Sequence, residues 1–215
     1  MTLNERENGK FFLYFSLGLL LIVVFGFPGH AIVNTDKLPP MRPLLHFHAL
    51  SLGLWYALFF TQAILIRRGN RALHQKLGTL SVVLVLVMLP TGLLVSMQNA
   101  ARTGDDTVLM ANLVNVSVFS VFYASALLCR KAPELHKRLM AYAALSLMLP
   151  AFARLTYIFD LPAFAPLPMW LAFAVMLPIY DFVRHKRISK GSIYGFAGVL
   201  LHVAALIIFV GPPPA

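Results

Sequence analysis

The chain has 215 residues, of which 59% are hydrophobic and only 12% charged, and its mean hydropathy is +0.77. Soluble domains carry about 25% charged residues, so a water-soluble globule is excluded and lipid is the expected solvent. The formal net charge of +10 invites a nucleic-acid reading, but the basic residues sit in short loops between apolar runs, where they orient a membrane protein instead.

Apolar runs long enough to cross a hydrocarbon layer, which takes about 20 residues as helix, lie at roughly 11–27, 45–66, 75–97, 107–129, 137–157, 167–183 and 192–211. They are continuous rather than alternating, and a lone span satisfies its backbone in lipid only as a helix. The predicted fold is therefore an all-α membrane protein, a seven-transmembrane-helix bundle of repeated hairpins forming one integral domain over 1–215.

Arg6 and Lys10 precede the first run in the manner of a signal peptide. The run is too long for that, and its exit, Gly26-Phe27-Pro28-Gly29-His30, lacks a small-x-small cleavage site. In the second run His48, Ser51, Trp55, Phe59 and Gln62 recur at steps of three and four and share a helical face. His46 and His48 point about 200° apart on a helix, so they share a metal only if the helix begins after His46; Pro43 allows a start near Leu45. The fourth run carries Asn112, Asn115, Phe119 and Tyr123 on one face and ends near the sole cysteine, Cys129, which excludes an internal disulfide. The fifth has Tyr142, Ser146, Pro150 and Arg154 on one stripe, the sixth Trp170 and Asp181, and the seventh Tyr194 and His202. Such polar groups serve either as hydrogen-bond glue between helices or as a ligand site. Arg154 and Asp181 lie near span ends, where snorkelling or pairing with loop charges is expected.

Two phrases repeat at the entries of the third and fifth runs, Leu73-His74-Gln75-Lys76-Leu77 and Leu135-His136-Lys137-Arg138-Leu139. Aligning His74 with His136 also pairs Arg68 with Arg130 and Lys76 with Arg138, and brings Pro90 and Pro150 within two positions of each other. Two parallel copies of one hairpin would be related by an axis along the membrane normal. His185-Lys186-Arg187-Ile188 is a fainter third echo. The loops at 67–76, 130–138 and 184–190 hold Arg67, Arg68, Arg71, Lys76, Arg130, Lys131, Lys137, Arg138, Arg184, Lys186, Arg187 and Lys190, twelve of the eighteen basic residues. The positive-inside rule then predicts a cytoplasmic N-terminus and an outer, Pro-rich C-terminal tail, with the basic face meeting anionic lipid.

His74 and His136 open odd-numbered spans at one depth, and two neutral imidazoles on facing helices are what axial ligation of a haem needs. His48 with His202 would form an outer pair. Beside Lys and Arg, the same inner histidines also suit a headgroup-zone anchor, and both readings stay open. Three functions follow. One is a redox protein holding haem b or a metal and passing electrons between a quinone and a membrane partner. Another is a transporter or binding protein for a small molecule or lipid, its cavity lined from Trp55, Gln62, Asn112, Asn115, Tyr123, Arg154, Asp181 and His202. The third is an assembly factor for a membrane complex. Hydrolytic zinc chemistry is not expected, because no three ligands converge at one depth, and Asp105 and Asp106 read as a solvated turn beside Gly104.

The pattern His46-x-His48, Leu54-Trp55, Gln62 and Leu73-His74-x-Lys76-Leu77-Gly78, followed by His136-Lys137-Arg138-Leu139-Met140, Pro150-Ala151, Arg154-Leu155 and Tyr180-Asp181, resembles a family of uncharacterised bacterial seven-helix inner-membrane proteins. The likeness runs from about position 44 to 190 and implies fold and location without an activity. A looser similarity, to the transmembrane b-type cytochromes reducible by ascorbate, implies paired histidines holding haem on both sides of the membrane. The chain departs from them in helix number and in its outer pair.

Overall fold

The computed structural model describes residues 3–35 and 42–211, those at 3–8 by backbone alone. The Pro-rich tail at 212–214 lies outside the described residues. The elements are α1 (Leu3–Val33), α2 (Pro43–Arg67), α3 (Arg71–Thr103), α4 (Thr107–Leu128), α5 (Pro133–Ser146), α6 (Leu149–Ile158), α7 (Pro166–His185) and α8 (Lys190–Phe209). No strand occurs among the described residues. Six helices, α1–α4, α7 and α8, are long and apolar enough to cross a membrane; α5 and α6, bent by 48° at a short break, make a seventh if the pair is one span. Leu86, Val121, Leu128, Leu201 and Ile208 are between 66% and 84% exposed. Apolar surface of that extent is stable only against lipid, so the chain is a multi-pass membrane protein.

The helices form two compact units, Met1–Gln98 and Asn99–Ala215. In the first, α1 buries Phe15, Ser16, Leu19 and Val23 along one face. Helix α2 begins at Pro43, whose missing N–H costs nothing in a first turn. The helix therefore includes both His46 and His48, and the later start that would have let them share a metal does not occur. His46 is exposed. The polar face of α2 meets small residues of α3: His48 lies against Gly92 and Gln62 against Gly78. The two pairs stand fourteen residues apart on both helices, as an antiparallel hairpin in constant register requires. A Cβ at position 92 would come within 2.7 Å of His48 Cε1, so glycine there leaves room for the imidazole as it stands.

In the second unit α5 packs against α4, α7 and α8. Its residues Ala141 to Ser146 are all buried, as expected of a helix covered on every side. Helix α8 accommodates it with glycine: a Cβ on Gly195 would fall 1.9 Å from Tyr142 Cδ2. Helix α5 ends at Ser146, four residues before Pro150. A proline ring clashes with the carbonyl four positions back and supplies no N–H to it, which accounts for the break. The Leu145 carbonyl beside the break accepts bonds from Met148 N at 3.0 Å and Trp170 Nε1 at 2.7 Å.

The fifth span thus differs from the expected continuous run at 137–157. Helix α3 instead continues through Pro90 for 33 residues, with the Thr91 hydroxyl bonding the Val87 and Met88 carbonyls at 2.8 and 3.0 Å. The two hairpins share their His-bearing entry and differ in what their prolines do. Between α3 and α4 the chain turns at Gly104, with φ of 70°. The exposed Asp105 accepts a bond from Thr107 N at 2.8 Å, and hydrogen bonding from Thr107 holds its carboxyl below the usual carboxylate range.

Candidate functional site

The second unit centres its charge on Arg138, which is 1% exposed, and Asp181, which is 0% exposed. Arg138 Nε reaches both carboxylate oxygens at 3.2 and 3.1 Å, and Nη2 bonds Oδ1 directly. Asp181 Oδ2 also accepts Ser192 Oγ at 2.6 Å and Ser189 N at 3.1 Å. Nη1 of Arg138 binds the Glu134 carbonyl at 2.9 Å and its carboxylate at 2.6 Å, and Lys137 holds the other Glu134 oxygen at 2.6 Å. A buried charge is tolerated when it is paired and its remaining donors are satisfied. This network meets both conditions and ties α5, α7 and the N-cap of α8 together.

Deeper in the same unit, His202 Nε2 lies 2.8 Å from Asn115 Oδ1. An amide oxygen only accepts, so Nε2 carries the proton and Nδ1 the lone pair. His202 is fully buried, with Trp170 edge-on at a ring separation of 5.2 Å. Its Nδ1 has no hydrogen-bond partner among the described residues. Tyr123 stacks on Phe119 at 5.4 Å. Arg154 Nη1 turns back to the Pro150 carbonyl of its own helix at 2.8 Å, and Asn112 is half-buried.

His136 Nδ1 lies 2.7 Å from the Ala126 carbonyl near the end of α4. The carbonyl fixes the proton on Nδ1 and leaves the lone pair on Nε2. The bond also satisfies one of the carbonyls left over at a helix end. In the first unit, His48 Nδ1 is 3.4 Å from Thr91 Oγ1. That hydroxyl gives its own hydrogen to backbone carbonyls, and the His48 ring also bonds the Met88 backbone. Trp55, 3% exposed, stacks on Phe59 at 5.8 Å. Gln62 has its Nε2 and Oε1 both buried without a hydrogen-bond partner among the described residues. His74 lies half-buried on α3, one turn before Gly78.

Family models, curated proteins and solved structures give no match to this chain.

The expected residues separate into two sets. His48, Trp55, Gln62 and His74 belong to the first unit, whereas Asn112, Asn115, Tyr123, His136, Arg154, Asp181 and His202 belong to the second. Within the second, Asn115 and His202 bond each other, and Asp181 takes Arg138. No group of three or more His, Cys, Asp or Glu side chains is placed to hold a metal ion among the described residues. For haem the fit differs by residue. His136 presents the tautomer of a ligating histidine, with Nδ1–H held by a second group. His202 offers its lone pair from Nδ1 instead, its Nε2–H being held by Asn115.

Arg138 was legible only as a loop charge. Its position four residues before Tyr142 extends the stripe Tyr142, Ser146, Pro150 backwards, and that spacing is the signal that places it on a buried helix face. Ser189 and Ser192 carried no signal beyond the pattern of a helix N-cap, a role Ser189 fills by accepting Ser192 N at 3.2 Å.

Proposed function

We propose that the chain is a quinone-linked redox protein of the bacterial inner membrane, seated with its basic turns in the cytoplasm. The observation that carries this reading is the Gln62 carboxamide, whose donor and acceptor are both buried and unpartnered among the described residues. Leaving such a group unsatisfied costs about 1–3 kcal/mol, and lipid tails cannot satisfy it. A quinone ring carbonyl accepts from the Gln62 N–H donors, and the hydroxyl of the reduced quinol donates to Gln62 Oε1. Gly78 faces the amide from α3, and a Cβ there would make an ordinary contact at 3.8 Å from Gln62 Nε2.

The test uses the purified full-length protein and a short-tailed quinone. Thermal stabilisation that saturates with quinone is expected in the wild type and absent in Gln62→Leu, which itself stays folded because the substitution removes an unsatisfied amide. Quinone stabilisation of equal size in both proteins, or in neither, refutes the reading.

A second reading, haem b as the electron carrier, is favoured by His136, whose Nδ1–H is held by the Ala126 carbonyl so that its lone pair stands on Nε2. When bound, haem would supply one-electron transfer. The Ala126 carbonyl would orient that imidazole and raise its basicity toward iron. A reduced-minus-oxidised absorption spectrum of the protein from haem-replete cells should show a b-type band that His136→Ala removes. A wild-type spectrum without that band ends the haem reading.

A further inference from the structure

The face of α2 that meets α1 leads to a groove of about 410 Å³ lined by Leu13, Phe60, Ile64, Arg67 and Arg68. That volume lies within the range of ligand sites, about 300–1,000 Å³. Its character is divided along the helix. Leu13, Phe60 and Ile64 supply an apolar wall within the spans, and two adjacent arginines stand at the end of α2 where the chain leaves the bilayer core. None of the five lining residues is acidic.

A site with aliphatic and aromatic walls and paired cations at one end complements a molecule with a hydrocarbon chain and an anionic head. Guanidinium groups match phosphate oxygens in a two-pronged geometry that ammonium groups lack. The arginine stems can lie along apolar surface while their heads sit at headgroup level. A free anion would leave the apolar wall uncovered, and an uncharged chain would not engage the two guanidinium groups.

The geometry points to a dedicated site for one anionic phospholipid between α1 and α2, its phosphate held by Arg67 and Arg68 and an acyl chain laid along Leu13, Phe60 and Ile64. This site lies on a different face of α2 from Gln62 and does not depend on the quinone reading.

The test is native mass spectrometry of the full-length protein released from detergent with phosphatidylglycerol or phosphatidylcholine added. The wild type should retain one phosphatidylglycerol at least tenfold more tightly than phosphatidylcholine. Arg67→Gln/Arg68→Gln should abolish that preference, whereas Arg184→Gln/Arg187→Gln, which removes two cations from another turn, should keep it. Ile64→Trp, which fills the groove and leaves both arginines in place, should also lose the bound lipid. No preference in the wild type overturns the proposal. So does a preference that survives loss of Arg67 and Arg68, or one that falls equally when Arg184 and Arg187 are neutralised, the last being adhesion to a basic surface.

Discussion

Replacing Asp181 by Asn tests whether the α5–α7–α8 junction rests on a charge pair or only on packing. The side chain keeps its shape, and one amide oxygen can still accept from Ser189 N and Ser192 Oγ. What disappears is the negative charge facing an arginine that is 1% exposed. Breaking a buried ion pair from one side costs about 3–5 kcal/mol, because the surviving charge stays desolvated. Arg138 keeps Glu134 on its Nη1, but that side chain is 63% exposed, so its compensation is screened and partial. The expected loss is about 3 kcal/mol, at the lower end of that range. For a chain of this size each kcal/mol moves the midpoint by about 2–4 °C, which gives a fall of about 6–12 °C in thermal unfolding of the detergent-solubilised protein. Removing both charges, as Arg138→Met/Asp181→Asn, should recover most of it. A midpoint for Asp181→Asn within about 2 °C of the wild type, or a double variant as unstable as the single one, refutes this account.

Gly195→Ala should destabilise by about 1–3 kcal/mol, the usual cost of overpacking, because the new methyl would sit 1.9 and 2.1 Å from two atoms of Tyr142, a ring that is 0% exposed. The Tyr142 hydroxyl is anchored to the Ala174 carbonyl at 3.1 Å, so the ring cannot simply swing away. Thermal midpoints of Gly195→Ala with and without Tyr142→Leu measure the clash, and equal losses in the two backgrounds would show that it is absent. Asn115→Leu removes the acceptor of His202 Nε2 and should cost about 0.6–2 kcal/mol, the range for hydrogen bonds between membrane helices. Asn115→Leu/His202→Phe should restore the midpoint, and a double variant no better than the single one would mean the bond carries nothing.

The apolar runs made the membrane class legible, and the helical period made the α2 face of His48, Ser51, Trp55 and Gln62 legible, because both depend on neighbours within a few turns. Pro150 also marked a disturbance in the fifth span. That α5 ends before Pro150 whereas α3 runs on through Pro90 was not legible, since both prolines stand in similarly apolar runs.

What the sequence determined alone was the solvent, the set of apolar helices and which residues share a face, all consequences of local hydrophobicity and period. Only the tertiary structure decided the partners. Arg138 meets Asp181 across 43 positions and His202 meets Asn115 across 87. A charge or imidazole in an apolar span is costly wherever it sits, and its local sequence does not say which distant group offsets that cost. Gln62 is the converse case: its face was readable from spacing, yet only the packed hairpin showed that its amide has no partner among the described residues.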